Sequence, residues 1–459
     1  MRVHYNLDAV RDSVTRERLL RNWHLRMWAF HELLPVRDSE RRVSLGEGGT
    51  FLHGCGRLSE RLGIQSLYLK DETINPTGSF IDRGMAVEVS LIQTQGAAGV
   101  YCRTMGNIAV SMAAYAARAG LHSTLWMSTR QSTDVGKFYQ VLAYGAEVRR
   151  PRRQASSFTS KDGRYSPITS TNPGFLEGLK TTAYEVVLQL QHGPPDWIVV
   201  PMGSGGHITQ VWKALREMEV LDLLRGSPPR LVGVQSHRCA PIVDALRGGH
   251  DDVTPCEDSP SITRDIGMRN PRCGRLALQA IRESGGTALA VSDGQTIDAV
   301  RSLARLEGVF AEPSSATVIA AVESLLDDGT IDRKDCVVCI ITGMGLKSPM
   351  ITHDLVRGDN RLKAFLRRLE GRAMTGALGQ TKRRILSLLG RAESYGYAIW
   401  KALEEEFGMR ITVTSVYQHL SELDELGLVE LSRTERTFQG RDRRVYRLTS
   451  RGRDVLNDT

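Results

Sequence analysis

The chain has 459 residues, 41% hydrophobic and 24% charged, which is ordinary for a globular protein with room for two to four domains. Its first residues carry charges where a signal peptide is apolar, and no run of about 18 apolar residues occurs, so we expect neither export nor a membrane span and take the cytoplasm as the compartment. The formal net charge is +8, and residues 356–459 hold 20 Lys/Arg against 14 Asp/Glu, so an anionic partner is expected at that end.

Seven cysteines are scattered along the chain, and their odd number argues against a disulfide framework. Cys336 and Cys339 have CxxC spacing, but they lie in an apolar run that predicts a buried strand rather than a zinc or redox site. We therefore expect no disulfide framework and no metal site.

Residues 1–355 alternate between strand-like and helix-like patterns. The apolar runs at 197–200 and 230–234 predict strands buried on both faces, whereas 107–119 and 314–326 have helical periodicity. Repeated strand–loop–helix order predicts an α/β domain with parallel sheets and helices on both faces. The glycine-rich loop from Gly203 to His207 follows a strand and lets backbone N–H groups approach a phosphate, although a tight turn is the alternative interpretation.

Eight sequence blocks, in order, resemble the threonine synthase family, which belongs to the tryptophan-synthase-β-like (fold type II) pyridoxal-phosphate enzymes. They span roughly residues 5–350 and lie at 44–50, 67–72, 75–84, 106–107 with 111–120, 142–146, 177–181, 312–316 and 342–347. The resemblance implies an α/β fold with two parallel-sheet subdomains, and pyridoxal 5'-phosphate as the cofactor.

The resemblance also implies roles for particular residues. The cofactor phosphate would be cradled by Gly203, Ser204, Gly205, Gly206 and His207. Asn107 would hydrogen-bond the pyridine 3-oxygen, and Thr342 would meet the pyridine nitrogen. Thr104, Met105 and Lys180 are implied as contacts to a substrate or effector.

The departures from the family lie where its chemistry takes place. Ile81 stands at the position of the lysine that holds the cofactor as a Schiff base, and isoleucine has no amine. Met105 lies in a turn that the family uses to hold the substrate carboxylate, and its side chain has no donor. Lys70, Lys137 and Lys180 match ordinary family lysines, which we interpret as structural or substrate-side residues; a relocated Schiff base is the alternative. The sequence thus predicts a pseudoenzyme, with a retained scaffold and no catalytic lysine.

Residues 380–456 show a different pattern. The predicted elements are helices at 382–389, 394–403 and 412–426, closed by Gly427, and strands at 428–436 and 443–448, joined by a turn at Gln439–Gly440. Three helices followed by a basic hairpin are typical of a winged helix-turn-helix, whose third helix enters the major groove of DNA. The residues expected to face DNA, some of which must face the core instead, are Thr412, Thr414, Ser415, Tyr417, Gln418, His419, Arg441, Arg443 and Arg444.

Residues 395–399, 415–420 and 443–452 resemble the PadR-like transcriptional regulators, which implies double-stranded DNA as a partner. Such regulators usually carry a dimerisation helix after the wing, and we expect it to be missing here because the sequence stops at Thr459. The pyridoxal-phosphate-fold domain would then supply the two-fold axis of a homodimer. A winged helix used for protein contacts is the alternative.

The sequence therefore predicts three segments: a threonine synthase-like domain at 1–355, a basic linker helix at 356–373 and a PadR-like domain at 374–459. The predicted function is a transcriptional regulator that responds to an amino acid or a phosphate-bearing effector through a catalytically impaired sensor, with the cofactor bound non-covalently or absent. One alternative is a working pyridoxal-phosphate-dependent threonine synthase or ammonia-lyase with a regulatory DNA-binding tail. Another is a cofactor-free dimerisation scaffold.

Overall fold

The chain folds into two compact units, residues 1–351 and 352–459, in a computed structural model. The structure describes residues 3–127, 134–149, 164–190, 192–257, 261–349, 351–355, 361–362, 378–436 and 442–457. The linker helix predicted at 356–373, apart from residues 361–362, and the turn predicted at Gln439–Gly440 lie outside these ranges. No helix in the described ranges is long and apolar enough to cross a membrane.

The larger sheet of the first unit has six strands in the order β1-β2-β10-β7-β8-β9. Its strands are β1 Leu52–Gly54, β2 Ser66–Asp71, β7 Trp197–Pro201, β8 Arg230–Ser236, β9 Thr287–Val291 and β10 Cys336–Ile341. All neighbouring pairs are parallel except β1 with β2. Every residue of β7 is buried, as expected for a strand covered by helices on both faces.

The smaller sheet has four parallel strands in the order β5-β4-β3-β6. Its strands are β3 Gly99–Cys102, β4 His122–Trp126, β5 Glu147–Arg149 and β6 Tyr165–Pro167. The predicted α/β architecture with two parallel-sheet subdomains is therefore confirmed.

Twelve α-helices lie within the described part of the first unit, together with short 3-10 segments, and a thirteenth crosses the boundary to the second unit. They are α1 Arg16–Arg21, α2 Gly56–Leu62, α3 Ile81–Thr94, α4 Asn107–Ala119, α5 Val135–Ala143, α6 Pro173–Leu179, α7 Thr181–Gln189, α8 Gly206–Val220, α9 Pro241–Arg247, α10 Gly274–Glu283, α11 Asp293–Ser302, α12 Pro313–Asp327 and α13 Ile351–Leu355. The predicted helix at 107–119 is confirmed, and the one predicted at 314–326 extends by one residue at each end.

The two sheets carry separate hydrophobic cores. One core joins β7, β8 and β10 to α7, α8, α9 and α10, and the other joins α3, α4 and α6 to the smaller sheet. Three loops that begin at the carboxyl ends of β3, β7 and β10 meet between these cores, which is where α/β folds place their ligands.

One disulfide joins Cys239 and Cys256, a single bridge rather than a framework of several. Cys336 and Cys339 are free and lie in β10, as the apolar run predicted. Within the described ranges, no group of His, Cys, Asp and Glu side chains is arranged to hold a metal ion.

The second unit contains four described helices and a three-stranded sheet in the order β11-β13-β12. Its elements are helices at Gln380–Arg391, Gly396–Phe407, Val413–Glu425 and Ser450–Asn457, with strands β11 Ser394–Tyr395, β12 Val429–Arg436 and β13 Asp442–Leu448. The prediction that residues 394–395 begin a helix is wrong, because they pair with β13. A further helix follows the wing at Ser450–Asn457, where none was predicted. It packs through Val455 into the hydrophobic core of the second unit.

Candidate functional site

A cavity of about 790 Å³ lies between the two cores of the first unit. The loop after β3 contributes Thr104, Met105 and Asn107, the loop after β7 contributes the glycine-rich run, and Thr342 directly follows β10. The structure thus brings together the residues that sequence analysis assigned to phosphate, ring and substrate contacts, with the exception of Lys180.

The glycine-rich loop forms a cup at the start of α8. Gly205 has φ +83°, which favours glycine, and the helix begins at Gly206 without a side-chain cap. A Cβ atom on Gly203 would lie 2.3 Å from the carbonyl oxygen of Asp265, so that position has no room for a side chain. The N–H of Gly206 donates to Ser204 Oγ at 3.3 Å, and the N–H groups that follow in the first turn of this 15-residue helix suit an anion such as a phosphate.

His207 lies in the first turn of α8 and is only 6% exposed. Its ring stacks on Phe80 with 4.4 Å between ring centroids. Burial lowers the pKa of His207 to about 4, so the imidazole is neutral at pH 7. Neither ring nitrogen has a hydrogen-bond partner among the described residues, which leaves one donor and one acceptor at the cup.

Asn107 and Glu312 form a polar corner of the cavity. Asn107 Nδ2 donates to Glu312 Oε2 at 2.9 Å, while Asn107 Oδ1 has no partner in the described part of the chain. Thr342 Oγ1 lies 2.7 Å from Ser315 Oγ, so its hydroxyl already shares a hydrogen bond. The corner therefore offers mainly acceptor atoms.

Ile81 lies at the cavity as the first residue of α3 and is 8% exposed. It packs in one hydrophobic cluster with Met105, Ile108, Phe175 and Leu179, all of which also line the cavity. We call these five residues the apolar wall. It presents no amine, hydroxyl or amide group to a ligand.

No lysine lines the cavity among the described residues. Lys70 Nζ lies 2.6 Å from a carboxylate oxygen of Glu185, and Lys137 Nζ lies 2.8 Å from Glu312. Lys180 is fully buried and contacts Glu177 and Glu217 at 2.8 and 2.9 Å. It is not among the residues that line the cavity, so the structure does not bring it to the other predicted effector contacts.

A buried ion network that sequence analysis missed holds α3 in place. Arg83 Nε lies 2.6 Å from Glu72 and its Nη1 lies 2.7 Å from Glu185. Burial alone would raise the pKa of Glu185, but Arg83 and Lys70 hold that pKa well below its ordinary range. Lys70, Glu72 and Arg83 belong to blocks recognised in the sequence, but Glu185 lies outside them and up to 115 positions from its partners, so only the fold reveals the network.

The third helix of the second unit presents an uncharged exposed face. Thr412 caps the helix by accepting from the backbone N–H of Ser415 at 3.2 Å. Thr414, Tyr417 and Gln418 are exposed at helical spacing on one side. Ser415 is half-buried, as is His419, whose Nδ1 lies 3.4 Å from Glu422.

The hairpin that follows is less cationic than its arginine count suggested. Arg443 pairs with Glu435 at 3.0 Å and stacks over the ring of Tyr395. Arg447 pairs with Glu430 at 2.8 Å. Arg444 is exposed and forms no ion pair with a described residue, whereas Arg441 lies outside the described residues.

Comparison with known proteins identifies the family to which the first unit is similar. Residues 43–343, more than half of the chain, match the pyridoxal-phosphate dependent enzyme family. The chain belongs to that family. It is 39% identical over 351 residues to threonine synthase of Methanocaldococcus jannaschii, covering 75% of this chain and 86% of that protein. It is also 39% identical over 336 residues to threonine synthase of Methanosarcina acetivorans, covering 72% and 82%.

Solved structures and a second family model extend the comparison. An L-serine ammonia-lyase from Rhizomucor miehei, 19% identical, matches with a TM-score of 0.58 over 67% of this chain and 98% of that chain, which shows the shared fold. Residues 385–458 match the PadR-like transcriptional regulator family. A pyridoxal-phosphate-family domain and a PadR-like domain are thus joined in one chain.

The cavity fits pyridoxal phosphate, the cofactor of this family, in part. The glycine cup and the unpartnered His207 ring suit its phosphate, and Asn107 offers a polar contact to its ring. When bound, the cofactor supplies an electron sink for reactions at an amino-acid carbon. The described lining residues include no amine that would attach it covalently.

Proposed function

We propose that the chain is a ligand-responsive, DNA-binding transcriptional regulator, and that its threonine synthase-like domain has become a catalytically impaired sensor. The observation that carries this proposal is Ile81 in a cavity without a lining lysine among the described residues. Enzymes that use pyridoxal phosphate depend on a lysine amine to hold the cofactor and to move protons at the substrate carbon. An isoleucine does neither.

The other buried lysines support the same proposal. Lys70 and Lys137 are held by carboxylates, and Lys347, which is 1% exposed, donates to the carbonyl oxygen of Thr77. Burial lowers the pKa of both Lys70 and Lys347, that of Lys347 to about 8, but neither side chain lines the cavity. A substitute for the missing amine would require one of these side chains to leave its partners.

The second unit supports the DNA-binding half of the proposal. The uncharged face of Thr414, Tyr417 and Gln418 offers hydroxyl and amide groups of the kind that contact base edges. We propose a homodimer, in which ligand binding favours one of two subunit arrangements and so changes the affinity for paired DNA half-sites. We also propose segment boundaries at 1–355, 356–373 and 374–459.

The first experiment tests cofactor attachment. Purified protein is mixed with pyridoxal phosphate, and the visible spectrum and intact mass are recorded before and after borohydride. We expect binding without a borohydride-fixed mass increase. A fixed adduct on a lysine, together with turnover of a phosphorylated amino acid, would overturn the proposal in favour of a working enzyme.

The second experiment tests regulation. DNA that binds the full-length protein is selected from random duplexes, and its affinity is measured with and without pyridoxal phosphate. We expect the ligand to change the affinity, and Gly205→Asp to abolish that change because a carboxylate side chain blocks the cup. Unchanged DNA affinity in both proteins, with no ligand bound by either, would instead support a cofactor-free scaffold.

The enzyme alternative is favoured by one observation, the 39% identity with threonine synthases over most of the chain. On that alternative the chain is a pyridoxal-phosphate-dependent lyase of threonine synthase type with a regulatory tail. If the unmodified protein released phosphate from a phosphorylated amino acid and Gly205→Asp did not, the enzyme alternative would be correct.

A further inference from the structure

We infer that the cavity binds the amine form of the phosphorylated pyridine cofactor without a covalent bond, and in preference to its aldehyde form. This inference rests on the proposed function, because it names the ligand class of the proposed sensor. The ligand is a phosphate monoester with a flat aromatic body and its own primary amine.

The apolar wall removes the advantage of an aldehyde. An aldehyde gains affinity in this family by forming a bond with a lysine amine, and Ile81 offers none. Phe175 and Leu179 are 1% and 2% exposed, so the wall is a packed surface rather than a mobile one. It fits the apolar face of an aromatic ring.

The cup supplies the seat for the phosphate. The N-cap residue Gly205 has no side chain to cap the helix, and a second, independent feature points to a ligand: the two nitrogens of His207, unpartnered among the described residues, in a side chain that is 6% exposed. A neutral imidazole that donates one N–H to a phosphate oxygen would satisfy part of that buried polarity.

The polar corner supplies acceptors for an amine. Because Glu312 is a carboxylate, the amide of Asn107 must turn its Nδ2 toward it, and this orientation leaves Oδ1 as the unpartnered atom. Lys137 occupies the other oxygen of Glu312 at 2.8 Å. An ammonium group donates to such acceptors, whereas an aldehyde oxygen is itself an acceptor and gains nothing from them.

The charged side chains at the cavity do not choose between the ligands. Arg264, Asp265 and Glu312 are the charged residues among its described lining, and Lys137 contacts both carboxylates, at 3.2 and 2.8 Å. The preference for the amine form therefore rests on the acceptor atoms of the polar corner and on the apolar wall.

The test compares three phosphate esters that differ in one group. They are pyridoxamine 5'-phosphate, pyridoxine 5'-phosphate and pyridoxal 5'-phosphate, which carry an amine, a hydroxyl and an aldehyde respectively. Affinities are measured by calorimetry on the unmodified full-length protein. We expect the amine to bind about tenfold more tightly than the other two, the gain of one charge-assisted hydrogen bond. Equal affinities, or tighter binding of the aldehyde, would overturn the inference.

Two variants locate the preference. Glu312→Gln removes the negative charge of the corner, and we expect the affinity ratio of amine to hydroxyl form to fall toward one. Glu323→Gln, on the helix α12 that follows Glu312, removes an exposed carboxylate that pairs with Arg61, and the ratio should not change. Thermal unfolding shows whether each variant is folded; if Glu312→Gln is not, the three-ligand comparison on the unmodified protein decides alone.

The outcomes separate the inference from the proposed function. If the amine form binds preferentially and the selected DNA is bound equally with and without it, the inference stands and the sensor role fails. If another ligand changes DNA affinity and none of the three phosphates binds, the inference fails and the regulator role stands.

Discussion

Ile81 alters the cavity by its shape as well as by its lack of an amine. Its branched side chain completes a continuous apolar wall with Met105 and Phe175, and this wall faces a polar corner and a phosphate cup. A ligand is therefore oriented by three chemically different surfaces. Covalent attachment is not needed for such orientation, because each surface accepts only one part of the ligand.

Restoring the amine is the most direct test at the residue scale. In Ile81→Lys, burial would lower the pKa of the new ammonium group and keep part of it as a nucleophilic amine. We expect pyridoxal phosphate to give a borohydride-fixed mass increase in this variant and none in the unmodified protein. Ile81→Met, a similar apolar side chain without an amine, is the control and should show no adduct. Absence of an adduct in a folded Ile81→Lys protein would contradict the placement of residue 81 beside the ligand.

His207 gives the domain a pH dependence of predictable sign. Its pKa is about 4 when folded and has its ordinary value of 6.5 when unfolded, so the unfolded chain binds the proton first as pH falls. The neutral His207 ring contributes to the free energy of unfolding above pH 6.5. This contribution, roughly 3 kcal/mol, is lost progressively as the pH falls from 6.5 to about 4. Urea unfolding followed by tryptophan fluorescence should show this loss relative to His207→Gln. The raised pKa of Asp82 is present in both proteins and cancels in the difference.

At the scale of elements, α3 is fixed by charge pairs in the protein interior. Arg83 joins Glu72, next to β2, and Glu185, on α7, to the helix that begins at Ile81. We expect Arg83→Met to lower the free energy of unfolding by about 3–5 kcal/mol, because it leaves two buried carboxylates with too few cations. Arg216→Met, which breaks an exposed pair with Glu219, should cost less than about 1 kcal/mol in the same urea titration. Equal costs would show that the interior pairs are not the main anchor.

The hairpin of the second unit divides its arginines into paired and unpaired ones. Because Arg444 is exposed without a described ion pair, Arg444→Ala should reduce the slope of log affinity against log salt by about one phosphate contact. Arg447 already pairs with Glu430, so Arg447→Ala should change the slope much less. Fluorescence anisotropy with the selected duplex at several salt concentrations measures both. A larger effect of Arg447→Ala would place the other face of β13 on the DNA.

Local patterns predicted most elements, and long-range partners account for the misses. The strand at 197–201 and the helix at 107–119 follow from apolar runs and helical periodicity. Residues 394–395 pair with β13, about fifty positions away, and nothing in their own sequence indicates that pairing. Lys180 contacts Glu217 on α8, a partner 37 positions away that the local sequence does not indicate. The glycine cup was predictable because it depends only on consecutive glycines between a strand and a helix.

At the scale of the whole molecule, the chain combines a pyridoxal-phosphate-family domain with a shorter PadR-like domain. The family match covers residues 43–343, whereas the PadR-like match covers 385–458. On the proposed function, the enzyme-family domain is kept for binding, because Ile81 leaves its cavity without an amine among the described lining residues.

The cavity lies between two separately packed hydrophobic cores, one under each sheet. A ligand that touches both cores binds the folded domain and not the unfolded chain, so its occupancy adds to the free energy of unfolding. Inside a cell, proteases remove the molecules that open, and vacant molecules open more often. The abundance of the protein, besides its DNA affinity, would then follow the supply of its ligand.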